Sequence, residues 1–340
     1  MATYKEIFGK KIQSLASDLP AAQGAGQIWY NETSDTFKSS VLVAGTWASG
    51  GTVPQTIQGG GSGGTQTAAW IAGGLQYPGD TKNKSWTYNG SSWTAAPNIP
   101  NNYFIGGSTG PDAAGLLFDG IGSYGPGTAT YEWDGSAWTA GGTLPAVGPG
   151  GSQANCGTGT QTAALSIGGI GDPPPARSDR VMDYNGASWT TGTSVPTGMG
   201  GTAGDGPETA TWIGGGTGTP GGSTNQPTNS FEFNGTGWTA SGSLGTGLPQ
   251  GVPAQGWGPQ TAGIIGGGTS SGPTATIVQL YDGATWSTGA SMSTPRINGA
   301  MSSQSAGTQT GFVAGGAPPI HDETEEFTAA AVGVKTITTS

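Results

Sequence analysis

The chain has few of the residues that catalytic and metal sites usually need. Its 340 residues include one cysteine and one histidine, Cys156 and His321, which are 165 positions apart. One cysteine excludes an intrachain disulfide framework. One imidazole excludes a histidine-rich metal centre, so we expect neither a metal site nor a cofactor. A Cys–His nucleophile pair stays formally open, but we interpret Cys156 as a small buried residue and His321 as a solvated loop residue.

Basic residues and long apolar runs are also scarce. The chain has ten Lys and Arg residues and twenty Asp and Glu residues, which gives a net charge of −10. Nucleic acid is therefore an unfavourable partner, because phosphate neutralisation needs a basic surface. No apolar run approaches the ~20 residues of a membrane span, and the start MATYKEIFGKKIQSLASDLP lacks the apolar core of a signal peptide. We expect no membrane insertion and no Sec export.

Glycine and aromatic residues are abundant. The chain contains 68 Gly and 23 Pro, a composition typical of low-complexity segments, but also 12 Trp, 9 Tyr and 8 Phe. Charge-driven disorder is excluded because such segments are charge-rich and poor in aromatics. The aromatic residues therefore indicate a packed core.

Two motifs repeat out of phase with each other. The first, an aromatic residue, Asn-Gly or Asp-Gly, small residues and a tryptophan, recurs five times and ends at Trp93, Trp138, Trp189, Trp238 and Trp286, with separations of 45, 51, 49 and 48 residues. The second, exemplified by GTQTAAWIAGG, recurs six times and usually ends at a Gly pair. Short runs bounded by glycines are typical of strands, and Asn-Gly or Asp-Gly predicts a hairpin with a type I′ turn.

Four strands every ~48 residues predict a six-bladed β-propeller. The Gly pair followed by an aromatic residue and a tryptophan resembles the kelch repeat over residues 45–329, although Arg296 is the only basic residue where a kelch blade normally carries one. The last repeat lacks the turn and the Trp, and GTWASGGTVP near the N-terminus matches the missing piece. Trp47 is therefore predicted to complete the last blade, a Velcro closure that removes an exposed sheet edge.

We divide the chain into an N-terminal docking arm with a small hairpin (1–44), the propeller (45–332) and a C-terminal tail (333–340). The arm is too small to form its own core, so it must lie against the propeller or a partner. Its candidate docking residues are Lys5, Ile7, Phe8, Trp29 and Tyr30. Packing on the chain's own propeller is the alternative.

The start MATYKEIFGKKI, the element GQIWYN, the GTQTA runs and the late TEEFT together resemble kelch-like virion structural proteins of tailed bacteriophages that infect marine cyanobacteria. The resemblance covers nearly the whole chain, and the two ends carry most of its specificity. It implies a particle protein, such as a tail fibre or an appendage, whose partners are other virion proteins.

A glycan-cleaving activity has little support in the sequence. The DGATW and NGSSW turns are similar to the Asp-box of sialidase propellers, but that box is structural and spaces its Asp and Gly differently. Only three arginines are present, Arg177, Arg180 and Arg296, and no carboxylate pair stands out from the turn-forming acids. We interpret Asp134 and Asp282 as turn formers.

Recognition is instead expected in the connections that fail to repeat. The turns of the first motif are short and uniform, whereas the connections after each Gly pair vary, and variable loops on a rigid scaffold usually carry binding. The connections between blades should share their face. Candidate binding residues are Tyr77, Tyr103, Phe104, Tyr124, Arg177 and Trp257; the alternative is that these aromatics anchor their own loops.

We therefore expect a non-enzymatic virion protein that binds a host-surface molecule or another subunit. The alternative is a purely structural decoration protein with no host ligand, and the third candidate is a glycan-cleaving tail protein.

Overall fold

The structure is a computed structural model that describes residues 3–7, 10–19, 26–77, 82–122, 125–145, 152–153, 155–171, 177–218, 228–247, 255–268, 276–303, 310–317 and 319–337. These residues form strands, turns and loops, and none of them is helical. The all-β prediction is confirmed.

The strands follow one another in short segments separated by turns. In the first third of the chain they are β1 Thr3–Ile7, β2 Lys10–Leu15, β3 Ile28–Asn31, β4 Thr36–Val43, β5 Thr46–Ser49, β6 Thr56–Gln58, β7 Gly61–Thr65, β8 Ala68–Ala72, β9 Leu75–Tyr77, β10 Ser85–Tyr88, β11 Trp93–Ala96, β12 Gly107–Thr109 and β13 Gly115–Phe118. The middle third contains β14 Ile121–Gly122, β15 Gly125–Pro126, β16 Thr130–Trp133, β17 Trp138–Ala140, β18 Ser152–Gln153, β19 Cys156–Thr160, β20 Ala163–Ile167, β21 Ile170–Gly171, β22 Val181–Tyr184, β23 Trp189–Thr191, β24 Met199–Gly200, β25 Ala203–Asp205 and β26 Thr211–Gly214. The last third contains β27 Thr217–Gly218, β28 Ser230–Phe233, β29 Trp238–Ala240, β30 Gln255–Trp257, β31 Ile264–Gly266, β32 Val278–Tyr281, β33 Trp286–Thr288, β34 Ala300–Met301, β35 Gly311–Ala314, β36 Thr324–Thr328 and β37 Ala331–Thr336.

Most of these strands belong to four-stranded sheets. The described residues form six, which we number from first to fourth strand as sheet 1 (β7, β8, β10, β11), sheet 2 (β12, β13, β16, β17), sheet 3 (β19, β20, β22, β23), sheet 4 (β25, β26, β28, β29), sheet 5 (β30 to β33) and sheet 6 (β34, β35, β36, β5). Strand β5 therefore lies beside β36, although almost the whole chain separates them. The arrangement is consistent with a multi-bladed propeller.

The first strands of the sheets lie next to one another. Each contacts the first strand of the following sheet, and β34 contacts β7. Glycine permits this close approach: a Cβ at Gly63 would come within 2.2 Å of the Gly110 carbonyl oxygen, and one at Gly157 within 2.5 Å of the Ser108 oxygen. Any larger residue would push neighbouring backbones apart, which explains why these strands are rich in glycine.

The hydrophobic core lies between neighbouring sheets. One cluster joins Trp70 of sheet 1 to Leu117, Trp133 and Trp138 of sheet 2, and another joins Phe118 of sheet 2 to residues of sheet 3. The repeated tryptophan of each hairpin belongs to this core or packs against it. Trp93, for example, packs 5.7 Å from Phe312 of sheet 6.

The repeated Asn-Gly and Asp-Gly units form hairpins, but the predicted type I′ turn is wrong. That turn needs positive φ at both central residues, and here only the glycine has one: Gly135, for example, has φ +90°, while Asp134 has no positive φ. The Asp134 Oδ1 atom instead accepts hydrogen bonds from the backbone N–H groups of Ser136 (2.8 Å) and Ala137 (2.7 Å). The small residues after the glycine provide room for this side-chain-capped loop.

The two ends of the chain form a compact unit of their own, which corrects the predicted domain boundaries. The chain-end unit comprises Met1–Thr46 and Thr328–Ser340, and the main unit comprises Trp47–Phe327. Strands β3 and β4 form the expected hairpin, within a five-stranded sheet of order β1-β2-β3-β4-β37. Residues placed in a C-terminal tail thus belong to strand β37, because they complete the sheet of the N-terminal arm.

Candidate functional site: loop face and axial cavity

In sheets 1, 3 and 4 the connection after the second strand pairs with the segment that enters the sheet. Strand β6 pairs with β9, β18 with β21, and β24 with β27. In each pair one strand precedes a first strand and the other follows a second strand. The two sets of connections therefore share one face of the main unit, which we call the loop face, and the capped hairpin turns lie at the opposite ends of the strands.

Two predicted binding residues lie on this face with accessible side chains. Phe104 is partly exposed, and the Lys82 Nζ atom lies 5.7 Å from the centre of its ring. Arg177 is also partly exposed and pairs through its backbone with Ile170. Burial lowers the pKa of the Arg177 guanidinium, and its Nε atom is buried without a hydrogen bond. Tyr77 ends strand β9.

Two other predictions for this face are wrong. Tyr103 is 2 % exposed, and its hydroxyl donates to the Gly107 carbonyl at 2.8 Å. Trp257 is fully buried in strand β30. Both side chains fill the core, where their burial stabilises the main unit. Tyr124 lies outside the described residues.

Two of the five predicted docking residues of the arm are buried. Lys5 and Ile7 lie in strand β1, and Phe8 lies outside the described residues. Trp29 is fully buried and Tyr30 is 6 % exposed, with its ring 5.0 Å from that of Phe37. The two aromatic side chains therefore have almost no surface to offer a partner, which corrects their assignment as docking residues.

A cavity of about 70 Å³ lies among the first strands, with lining residues from all six sheets. We call it the axial cavity. Its lining is small and polar, and includes Ser62, Ser108, Asn155 and Ser302. The volume can hold a few water molecules and is far below the ~300–1,000 Å³ typical of small-molecule sites. The Ser62 Oγ atom donates to the Met301 carbonyl at 2.8 Å, so the lining also joins sheet 1 to sheet 6.

The cysteine that lines this cavity is a weak nucleophile. Cys156 is 5 % exposed, as expected from the sequence. Burial and the nearby Asp205 carboxylate raise the pKa of its thiol to about 12, which keeps it protonated near neutral pH and weakens it as a nucleophile.

Acidic side chains bridge neighbouring sheets, which sequence reasoning missed. The hydroxyl groups of Tyr88, Tyr184 and Tyr281 donate to Glu326, Glu132 and Glu232 of the preceding sheet at 2.6, 2.5 and 2.6 Å. Burial and these bonds raise the pKa of each tyrosine to about 12. The signal was present: sheets 1, 3 and 5 end their third strand in Tyr, whereas sheets 2, 4 and 6 carry Glu in theirs.

The remaining charged candidates also have structural roles. Arg296 is 1 % exposed and contacts the Glu325 carboxylate at 2.7 Å. Burial of Glu325 opposes ionisation, but bonds from the Ser293 backbone and from Arg296 lower the pKa of its carboxyl overall. The His321 side chain is 11 % exposed and lies 3.1 Å from Glu323, so its assignment as a solvated residue is wrong.

Metal ligands do not cluster in the part of the chain that the structure describes: no group of three or more His, Cys, Asp or Glu residues there could hold an ion. In the same residues we find no helix with the length and hydropathy needed to cross a bilayer.

Comparison with known proteins identifies the fold only. No protein-family model matches the chain, and no curated protein is similar to it in sequence. Among solved structures, that of YjhT matches with a TM-score of 0.60 at 16 % identity, covering 84 % of this chain and 99 % of YjhT. A likeness at this level of identity concerns the fold alone.

Proposed function

We propose that the chain is a non-enzymatic structural protein of a tailed-phage particle, such as a tail fibre or an appendage. It presents the loop face of its propeller to a host-surface molecule or to another particle subunit. The observation that carries the non-enzymatic part is the use of the polar side chains: Glu132, Glu232 and Glu326 accept hydrogen bonds from tyrosines, and Arg296 pairs with Glu325. The phage assignment rests on the resemblance of the two chain ends.

The propeller in this proposal has six blades and a Velcro closure. Six four-stranded sheets support the blade number. The position of β5 beside β36 and the contact of β34 with β7 support closure. Trp47 contributes to it by packing 5.1 Å from the Phe327 ring, with its Nε1 atom donating to the Ala290 carbonyl at 2.8 Å.

Binding is assigned to the loop face because its connections differ in sequence from sheet to sheet, whereas the hairpin turns on the opposite face repeat one geometry. The opposite turns reuse one geometry, in which an Asn or Asp oxygen caps the loop at positions 89, 134, 185, 234 and 282. The loop face instead carries accessible groups such as Phe104, Lys82 and Arg177. An aromatic ring such as that of Phe104, which has a cation beside it, can stack on a sugar or fill a protein pocket.

The particle assignment is tested on purified particles of the phage that encodes the chain. We expect peptides of the protein in gradient-purified particles and antibody labelling of a fibre or appendage. Absence from the particles would contradict the virion role, and labelling confined to the head would favour the alternative, a decoration protein without a host ligand.

Host binding is tested with the purified protein in a phage-adsorption competition assay. Wild-type protein should reduce adsorption, the loop-face variant Phe104→Ala should compete less well, and Gly237→Ala on the opposite face should compete as wild type does. Equal competition by all three would contradict the assignment of the loop face. Release of reducing sugar from host envelope polysaccharide would instead favour the third candidate, a glycan-cleaving protein.

A further inference from the structure

The exposed apolar side chains are concentrated in the chain-end unit. All of the strongly exposed large hydrophobic residues among those described belong to it: Ile28 (50 %), Leu42 (67 %), Val43 (45 %), Val334 (41 %) and Ile337 (40 %). Leu42 and Val43 lie in β4, Val334 lies in β37, and Ile337 follows β37 directly. Four of these side chains lie at the β4–β37 border of the sheet, Leu42 and Val334 on one face and Val43 and Ile337 on the other. Exposed apolar side chains grouped in this way mark an interaction site.

Strand β37 is the border strand at which this surface ends. It stands last in the order β1-β2-β3-β4-β37, so among the described strands it has a neighbour on one side only. The sequence AVGVKT has one charge and two valines, and none of its residues is buried. Natural proteins usually protect such an edge, because its backbone groups can pair with another strand.

The register shows which backbone groups are available. The Ile337 N–H donates to the Phe37 carbonyl of β4 at 2.8 Å. Because the hydrogen-bonding direction alternates along an antiparallel strand, Lys335, Gly333 and Ala331 also direct their backbone groups toward β4. Those of Val332, Val334 and Thr336 therefore point away from the sheet.

Net charge does not oppose the pairing of two chain-end units. The chain-end unit has five basic and four acidic residues, a net charge of +1, whereas the main unit has five basic and sixteen acidic residues, a net charge of −11. Two main units repel each other, while two chain-end units approach with little electrostatic penalty. The apolar border thus lies where two copies of the chain can meet.

We propose that β37 pairs with β37 of a second copy of this chain, antiparallel and centred on Val334. In this two-fold arrangement Val334 lies opposite Val334 of the second copy, and Val332 lies opposite Thr336. All three outward-facing residues then form hydrogen-bonded pairs, with about six backbone hydrogen bonds across the interface. The two five-stranded sheets become one continuous sheet, a recognition mode in which backbone bonds supply much of the affinity.

The position of Lys335 selects this register over its neighbours. Centring on Val334 places Lys335 opposite Gly333, whereas a shift by one residue, centred on Lys335, places the two lysines opposite each other and is disfavoured. Centring on Gly333 leaves Thr336 outside the paired strands. The isologous contact also closes on itself, so it produces a dimer and no filament.

The first test is the mass of the full-length protein in solution, measured by light scattering coupled to size exclusion. At micromolar concentration we expect twice the chain mass of 33.5 kDa. Val334→Lys and Val334→Glu each place like charges opposite each other at the two-fold axis, so each variant alone should be monomeric. An equimolar mixture of the two should recover the dimer, because the opposed charges then attract.

A structural defect is separated from loss of pairing by matched controls. Val334→Thr keeps the β-branched shape and should remain dimeric, and all variants should keep the circular dichroism and tryptophan fluorescence of the wild type. A monomeric wild type would overturn the proposal and leave the edge to a different partner protein. A wild-type dimer that survives in both charged variants, or a mixture that stays monomeric, would overturn the register.

Discussion

At the scale of single residues, the main unit uses ionisable side chains to connect sheets. The three Tyr–Glu hydrogen bonds each link a hairpin end to the preceding sheet. The hairpin tryptophans add a second link, because Trp93 donates to Thr324 and Trp189 to Thr130, each at 2.9 Å. A change at one of these positions should therefore weaken the packing of two sheets at once.

The tyrosines predict how stability depends on pH. Their pKa is about 12 in the folded chain, against 10.0 for an unperturbed tyrosine. Below pH 10 the tyrosines are protonated in both states, and their contribution is complete. Between pH 10 and 12 the unfolded chain releases protons that the folded chain holds, so the free energy of unfolding falls. Solvent screening of the hydroxyl groups reduces this loss to roughly 1–2 kcal/mol per tyrosine.

Denaturant unfolding at several alkaline pH values measures this effect. The triple variant Tyr88→Phe, Tyr184→Phe and Tyr281→Phe should be less stable at pH 8 and should show a shallower fall above pH 10. Tyr131→Phe is the matched control, since the Tyr131 hydroxyl accepts a bond from Asn101 rather than donating to a glutamate. An equally steep fall in wild type and triple variant would show that these bonds do not control alkaline stability.

At the scale of elements, the hairpin turn depends on one glycine backbone conformation. Gly135 has φ +90°, and a Cβ there would meet nothing closer than 3.6 Å. Gly237 ends the corresponding loop of sheet 4, lies outside the left-handed region of φ and has open space around a Cβ. A Cβ would not clash at either position. Alanine at Gly135 therefore tests backbone strain alone, and alanine at Gly237 is the unstrained control.

We predict opposite effects for alanine at these two glycines. Gly135→Ala should lower the free energy of unfolding by about 1–2 kcal/mol because alanine is strained at positive φ. Gly237→Ala should be neutral or stabilising by up to ~1 kcal/mol, because it restricts the unfolded chain at no cost in the folded state. Thermal or urea unfolding measures both, and equal effects would contradict the capped-loop geometry.

Elements with a local signal could be predicted from the sequence. The repeated turn and tryptophan correctly gave the hairpins, because both features act within a few residues. The type I′ assignment failed because the Asx cap depends on residues after the glycine. Trp257 was misjudged because its strand, Gln255–Trp257, has three residues and no alternation. Pairing of β37 with β4 has no local signal, since it joins opposite ends of the chain.

At the scale of the whole molecule, each end of the chain contributes strands to two sheets. The N-terminal part supplies β5 to sheet 6 and β4 to the five-stranded sheet, and the C-terminal part supplies β36 to sheet 6 and β37 to the five-stranded sheet. Deleting residues 1–44 would therefore remove the partner of β37 as well as the arm. A loss of particle assembly in such a deletion has two explanations, so point variants are the sharper test of each role.

The proposed closure of the propeller predicts a specific cost in the free energy of unfolding at Trp47. Its side chain is half-buried, packs on Phe327 and bonds to the Ala290 carbonyl. Trp47→Ala should lower the free energy of unfolding by about 2–3 kcal/mol, less than the ~3–5 kcal/mol for a fully buried tryptophan. Trp138→Ala, a buried equivalent in sheet 2, should reach that higher range in the same urea titration.

A cost below ~1 kcal/mol at Trp47, with the expected cost at Trp138, would show that sheet 6 does not depend on its N-terminal strand. The midpoint of the urea transition alone is insufficient, because partial opening of one sheet would also change how steeply the free energy of unfolding falls with urea concentration. If β5 holds sheet 6 closed, Trp47→Ala should also increase amide hydrogen exchange in β36, the strand beside it, more than in β16 of sheet 2. That local difference follows from strand pairing and would be absent if Trp47 contributed only general hydrophobic burial.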